Sequence, residues 1–151
     1  MPNWLRIVLV VMAAAVLVLI LVGVLAFRWI RNHGPALAAR GKQTQAEARR
    51  FADGKESKDC IDEGIRRAGA AHDFLGMVES RVFVGECLNV AKEPAGFCDD
   101  VPSGVIDGAR WTNEQCGKRG KAGDQGCAGV YQSVMQHCQR QSRRKSVGGR
   151  R

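Results

Sequence analysis

The sequence predicts an all-α protein: a single N-terminal transmembrane helix followed by a small disulfide-stapled helical domain made of two antiparallel helical hairpins. Three observations lead to this fold class. An uncharged apolar run occupies residues 7–27, near the start of the chain. Six cysteines all lie outside that run. The segments that contain the cysteines carry apolar residues at helical spacing, without the alternation of a half-buried strand.

The apolar run Ile7–Phe27 has the length of a membrane-spanning helix. Its 21 positions would form a helix about 31 Å long, which matches the hydrocarbon core of a bilayer. Tryptophan favours the boundary between water and lipid, and Trp4 and Trp29 flank the run. Together with Arg28 and Arg31 they are the expected membrane-interface residues. The run contains no ionisable residue and no G-x-x-x-G, so neither ion conduction nor helix dimerisation is indicated.

We expect this segment to stay attached as an anchor. A secretory signal has an apolar region of about 7–15 residues, and the run here is longer. The small-residue triplet 36–38 is the alternative cleavage site, but it lies far beyond the end of the run. The chain then divides into an anchor with interfacial flanks (1–31), a partly helical stalk or linker (32–56), a six-cysteine helical domain (57–139) and a basic disordered tail (140–151).

The net charge of +8 is concentrated at the two ends of the chain. Residues 1–33 hold three basic residues and no acid, whereas residues 34–139 hold 14 basic and 15 acidic residues, a net charge of −1. The predicted domain is therefore nearly neutral, which argues against a nucleic-acid-binding face. The terminal segment holds the candidate contacts for an anionic surface: Arg140, Arg143, Arg144, Lys145, Arg150 and Arg151.

Two helices are predicted before the middle of the domain. Thr44-Gln45-Ala46-Glu47 has the form of a capping box and predicts a helix from about Thr44 to Asp53, with too little apolar surface for more than a stalk. Asp59–Ala70 carries apolar residues at i, i+4 and i+7. Both segments are followed by short polar or small-residue stretches that would end a helix.

Three further helices follow. Asp73 is a suitable N-cap for Asp73–Ala91, which Pro94 ends because proline has no N–H to donate. A short strand over residues 81–84 is the alternative there. Gly104–Gly117 is a weaker helix candidate, and Cys127–Cys138 has the most regular apolar face. The stretch 117–126 is rich in glycine and basic residues and predicts a flexible basic loop. It lacks the spacing of a phosphate-binding loop.

The positions of the cysteines on these helices predict how they pair. Cys127 and Cys138 are 11 residues apart, which on a helix is about 16 Å, whereas a disulfide needs Cα atoms within about 7 Å. Each must therefore bond to another element. Antiparallel hairpins that turn near Asp73 and near residues 118–121 bring three pairs level: Cys60–Cys87, Cys98–Cys138 and Cys116–Cys127.

Metal binding, redox catalysis and free thiols are the alternatives for the cysteines. Zinc sites usually present two ligands within two to four residues of each other, and dithiol oxidoreductases usually carry Cys-x-x-Cys. The sequence has neither pattern. We therefore expect structural disulfides and assign neither a metal nor a cofactor.

Two arguments about orientation disagree. Basic residues near the span are more numerous on its C-terminal side, and the positive-inside rule then favours a cytoplasmic domain. An even number of cysteines in a small domain favours an oxidising compartment. Because long domains translocate largely regardless of charge, we expect the C-terminal domain to be periplasmic or extracellular.

No residue is assigned a catalytic role. The adjacent acids at 62–63 and 99–100 are typical of solvated or capping residues. Trp111 is expected in the core or at its rim, with contact to a partner as the alternative. The histidines are expected on the surface: His33, His72 and His137.

The favoured function is that of a membrane-anchored binding or scaffolding module with a protein or cell-envelope partner. One alternative is a membrane-tethered enzyme with a cleft between the hairpins. It is suggested by four residues near predicted helix ends: Asp62, Glu63, His72 and Asp99. The other alternative is a cytoplasmic-facing adaptor whose basic tail binds anionic lipid or nucleic acid.

The cysteine pattern predicts that the protein is fully oxidised in its native membrane. Alkylation without reductant, followed by mass spectrometry, is expected to label none of the six cysteines, and alkylation after reduction is expected to label all six. The matched control is the same labelling after denaturation without reductant, which exposes any buried free thiol. Six labelled thiols in that control would contradict an oxidising compartment and favour the adaptor alternative.

Overall fold

The computed structural model describes the backbone of residues 3–148, and the side chains in that range except those of residues 3, 5–7, 9, 30, 33 and 147. The all-α fold class is confirmed. The helices are α1 (Asn3–Ala52), α2 (Ser57–Ala70), α3 (Phe74–Val90), α4 (Val105–Lys118) and α5 (Gln125–Gly148). No strand occurs within 3–148, and the segment considered as a short strand, 81–84, belongs to α3. The chain forms two compact units, Met1–Arg40 and Gly41–Arg151.

The first unit contains a candidate membrane span. Within α1, Val10–Trp29 is long and apolar enough to cross a bilayer, and none of it is buried. The core helix of a soluble protein would bury such a stripe, so exposure around the whole helix favours a lipid environment. The side chains of Trp4 and Trp29 are exposed at the two ends of the apolar stretch. Their role at the membrane interface, with that of Arg28 and Arg31, stays a prediction.

The C-terminal part of α1 belongs to the second unit, whereas a stalk or linker was expected over residues 32–56. Ala48 and Ala52 lie in the core of the domain with almost no exposed surface. Phe51 packs edge-on against Phe83, with ring centroids 5.6 Å apart. The two alanines are four residues apart, so they lie on one face of the helix, and that face is turned to the core. The backbone is also continuously helical through Thr44, so the expected capping box does not begin a helix.

Helices α2 and α3 form the first antiparallel hairpin. Asp73 caps α3 as predicted, accepting a hydrogen bond of 2.8 Å from the Gly76 N–H. The Cys60–Cys87 disulfide joins the two helices far from the turn, with Cα atoms 5.7 Å apart. At Gly64 the helices approach so closely that an added Cβ would lie 2.1 Å from Val84 Cγ2. A side chain of any size at position 64 would therefore force the helices apart.

Helices α4 and α5 form the second antiparallel hairpin. The turn between them uses Gly120 and Gly123 at φ values of 68° and 77°, which glycine adopts without strain. Asp124 then accepts a hydrogen bond of 2.6 Å from the Cys127 N–H at the start of α5. Helix α5 also packs against α2 and α3, and it therefore occupies the centre of the domain. Its buried face supplies Val130 and Val134 to the core.

The terminal segment is helical, whereas the sequence indicated disorder. Helix α5 continues to Gly148, and Arg150 and Arg151 lie outside the described residues. The extension has a physical basis, because arginine, glutamine and lysine are good helix formers. The packed part of α5 supplies the nucleus from which a helix propagates at low cost. The first glycine after Cys138 is Gly148, and glycine has a much lower helix propensity than the residues before it.

The close approach at Gly64 predicts opposite effects for two glycine substitutions. Gly64→Ala is expected to destabilise the domain by about 1–3 kcal/mol, because the new methyl group overlaps Val84. The control Gly85→Ala in α3 meets no atom within 4 Å and is expected to stabilise by about 0.5–1 kcal/mol through helix propensity. Thermal unfolding of the oxidised full chain in mild detergent, followed by circular dichroism, measures both. Equal midpoints for the two variants would contradict the packing described.

Candidate binding surfaces

The six cysteines form three disulfides, and these are the pairs that the hairpin geometry predicts. Cys98–Cys138 and Cys116–Cys127 have Cα separations of 5.4 and 6.0 Å. Together with Cys60–Cys87 they leave no free cysteine in the described chain. Within residues 3–148, no group of three or more His, Cys, Asp or Glu side chains is arranged to hold a metal ion. The cysteines therefore act here as structural cross-links.

A groove runs between α4 and α5, and we call it the α4–α5 groove. It encloses about 430 Å³. Its floor is formed by Gly108, Thr112 and Met135, with the Thr112 hydroxyl 3.7 Å from the Met135 sulfur. Val105 belongs to its lining and is 88% exposed; the next residue, Ile106, is 79% exposed but lies outside the lining. The surface of the groove is therefore mostly apolar and open to a partner.

The edges of the α4–α5 groove carry amide side chains. Asn113 accepts a hydrogen bond from the Gly123 N–H at 3.2 Å, and Gln139 donates to the Ser103 carbonyl at 3.3 Å. Asp124 is the charged residue in the lining, and its carboxylate is already engaged in capping α5. Amides both donate and accept hydrogen bonds. The groove therefore offers an apolar floor with neutral polar edges.

Asp62, one of the residues that suggested a catalytic cleft, is engaged in a structural ion pair. The guanidinium of Arg119 bonds to the Asp62 carboxylate and also donates to the Tyr131 hydroxyl at 2.8 Å. Burial alone would lower the pKa of Arg119, but the hydrogen bonds to Asp62 and Tyr131 outweigh it and raise the pKa. Arg119 thus ties the α4–α5 turn to α2 and to α5.

Glu63 belongs to a second charge cluster. It accepts hydrogen bonds from Arg66 and from Arg67, the latter at 2.8 Å. Arg67 also bonds to Glu47 of α1 at 2.6 Å, and it lies over the Phe83 ring, 3.9 Å from the centroid. The hydrogen bond from Arg66, helped by Arg67, outweighs burial and lowers the pKa of Glu63. The bond from Arg67 likewise lowers the pKa of Glu47.

His137 is buried, which corrects its expected position on the surface. It is only 5% exposed, and its Nε2 atom lies 2.9 Å from Oε2 of Glu93. Phe97 packs edge-on against the imidazole at 6.4 Å. The face of α5 that bears His137 is polar in sequence, but the segment between α3 and α4 covers it. The Cys98–Cys138 disulfide fastens that segment beside His137.

The remaining candidate residues are dispersed. His72 and Asp99 are exposed, and the side chain of His33 lies outside the described ones. Trp111 is half-buried and packs edge-on against Tyr131 at 5.5 Å, a position at the rim of the core. The α4–α5 groove is lined by none of the four residues that suggested a catalytic cleft: Asp62, Glu63, His72 and Asp99. The residues that suggested the enzyme alternative are therefore not gathered in this groove.

Comparison with known proteins gives no relative from which to transfer a function. No protein-family model, no curated protein and no solved structure matches the chain. Any functional conclusion therefore rests on the residues and their geometry.

The Arg67 cluster predicts a pH dependence of stability. Glu47 and Glu63 have lowered pKa values in the folded state, so their contribution is present above the unfolded carboxyl pKa and is lost as the pH falls through the folded values. Arg67→Gln is expected to flatten this loss, because it removes a hydrogen bond to both carboxylates. Thermal midpoints measured from neutral to acidic pH test the slope.

The control for this experiment is Arg143→Gln, which removes an equal charge from an exposed position on α5. It is expected to leave the slope unchanged. The loss of the Arg67–Phe83 contact lowers stability at every pH, so the slope, and not the midpoint at neutral pH, reports the ion pairs. Parallel pH profiles for wild type and Arg67→Gln would contradict the assignment.

Proposed function

We propose that this protein is a single-pass, membrane-anchored binding module whose extracytoplasmic domain holds an apolar segment of a partner protein in the α4–α5 groove. The observation that carries the proposal is the groove itself, with its apolar floor and an exposed aliphatic residue, Val105, in its lining. The domain presents and orients a partner beside the membrane. No catalytic step is assigned to it.

The candidate span and the disulfides support the anchored, extracytoplasmic part of the proposal. Val10–Trp29 is apolar over the length of a bilayer and exposed on all sides. All six cysteines of the described chain are paired, and stable structural disulfides are typical of oxidising compartments. Both features fit a domain that is tethered on the outer side of a membrane.

The energetics of exposed apolar surface support the groove as a binding site. Single exposed aliphatic residues are common on protein surfaces. Val105 differs from these because it lines an apolar groove, and exposed apolar surface that is contiguous with a groove marks an interaction site. Burying it against a partner would gain about 25 cal/mol for each Å² removed from water. Val105 would therefore be a main contact.

The disulfides also prepare the groove for binding. Cys116–Cys127 closes the α4–α5 hairpin at one end, and Cys98–Cys138 fastens the chain before α4 to α5 at the other. A groove whose walls are cross-linked at both ends loses little conformational entropy when a partner binds. This is consistent with recognition by a preformed surface.

The chemistry of the lining favours a neutral apolar peptide segment as the occupant. The lining contains no Lys or Arg, and its acid, Asp124, caps a helix. An anionic ligand would find no counter-charge there. Large apolar side chains of a partner would fill the floor, and the edge amides would hydrogen-bond its backbone. An apolar anchor with a polar rim is the usual anatomy of a protein interface.

Site-specific photo-crosslinking in native membranes tests the groove. A photoreactive residue at Ala109, which lines the groove, is expected to give a discrete protein adduct. The same residue at the neighbouring Arg110, which is exposed but outside the lining, is the matched control and is expected to give none. Adding Val105→Asp to the Ala109 probe is expected to reduce the adduct about tenfold or more, because a charge would be buried in the interface. Equal labelling from positions 109 and 110 would overturn the proposal.

A further inference from the structure

A second cavity lies between the C-terminal part of α3 and the last turns of α5, and we call it the α3–α5 pocket. It encloses about 430 Å³ and is largely polar. Leu88 and Ala91 of its lining are apolar, and the remaining lining side chains are polar or charged: Asn89, Glu93, His137, Arg140, Gln141 and Arg144. It is separate from the α4–α5 groove, whose lining includes none of these residues.

The helical form of the terminal segment creates this pocket. Positions 137, 140, 141 and 144 fall at i, i+3, i+4 and i+7, so they share one face of α5. Arg140 and Arg144 are one turn apart on that face, and both line the same cavity. Arg143 and Lys145 belong to the same helix but are absent from the lining. In a disordered tail these four cations would be equivalent.

The two pocket arginines differ in their partners from the arginines that link helices of the domain. Arg49, Arg67 and Arg119 each form an ion pair with a carboxylate of another helix. Within residues 3–148, no carboxylate lies within ion-pair distance of Arg140 or Arg144. Two cations that line one cavity and pair with no carboxylate form a site for an anion from outside the chain.

The acid in the pocket is occupied by its own neighbours. Glu93 accepts a hydrogen bond from Gln141 at 2.5 Å, and its Oε2 atom also lies 2.9 Å from Nε2 of His137. The carboxylate is therefore held against the wall that His137 forms. The amide of Asn89 adds a neutral donor to the lining.

We infer that the α3–α5 pocket binds a phosphate group, with Arg140 and Arg144 as its principal ligands. Guanidinium groups match the geometry of phosphate oxygens and form charge-assisted hydrogen bonds with them in pairs. The phosphate belongs either to an anionic lipid headgroup or to a free phosphate. Of the six basic residues expected to contact an anionic surface, the inference selects two. It does not depend on what the α4–α5 groove binds.

The test uses the full chain in neutral detergent micelles and two probes, phosphatidylglycerol and inorganic phosphate. Native mass spectrometry counts bound lipid, and isothermal titration calorimetry measures phosphate. The pocket variant is Arg140→Gln with Arg144→Gln, and the matched control is Arg143→Gln with Lys145→Gln. Both double variants remove two positive charges from exposed positions of the same helix segment, so folding and net charge change equally.

The wild type is expected to bind at least one probe, and the pocket variant is expected to lose about tenfold or more in affinity, because hydrogen bonds to charged groups are lost. The control variant is expected to stay within about twofold, as screened surface charges contribute little. Glu93→Gln is expected to tighten binding, since it removes the one negative charge of the lining.

Lipid binding that inorganic phosphate does not displace assigns the site to headgroups, and displacement assigns it to phosphate in general. Equal weakening of lipid or phosphate binding by the two double variants would overturn the inference, because it would show attraction by bulk charge. Absence of binding to both probes by the wild type would overturn it as well.

Discussion

The cysteines of α5 impose the main geometric constraint on the domain. Cys127 and Cys138 are separated by about three turns of helix, too far to bond to each other, so each holds a different part of the chain. Cys127 fixes the end of α4, and Cys138 fixes the segment that leads into α4. These two bonds hold the walls of the α4–α5 groove. The Cys98–Cys138 bond also holds the segment between α3 and α4 over His137. Both candidate surfaces therefore follow from the attachment of α5 at two points.

The core of the domain is built from small residues, and this explains why cross-links matter. Its large, fully buried side chains are few, with Phe83 and Leu88 the largest. Five of the six cysteines are themselves core residues, so the disulfides fill space as well as restrain the unfolded chain. A domain of this size buries a modest apolar area, and cross-links are the usual compensation. Close contact at Gly64 brings α2 and α3 together over this core, and the alanines of α1 are buried in it.

Most of the fold is predictable from local signals, whereas the candidate surfaces are not. Hairpin geometry and the helical spacing of the cysteines are enough to predict the helices and the disulfide partners. The contribution of α1 to the core escapes such reasoning, because Ala48 and Ala52 carry little apolar weight until their neighbours are known. His137 escapes it for a related reason, since a distant segment buries a face that is polar in sequence. The exposure of Val105 and Ile106 is likewise visible only in the structure, since aliphatic residues at the start of a helix are more often buried.

The burial of Ala48 and Ala52 has a consequence for separating the domain from the candidate span. A cut between Ala48 and Ala52 would detach Ala48 from the core together with the ion pair of Glu47. Separation of an intact domain therefore requires cleavage between Trp29, where the candidate span ends, and Glu47. Because α1 is helical through that interval, a protease must first unwind it. Attachment of an intact domain to the candidate span is in this way a property of the domain's own packing.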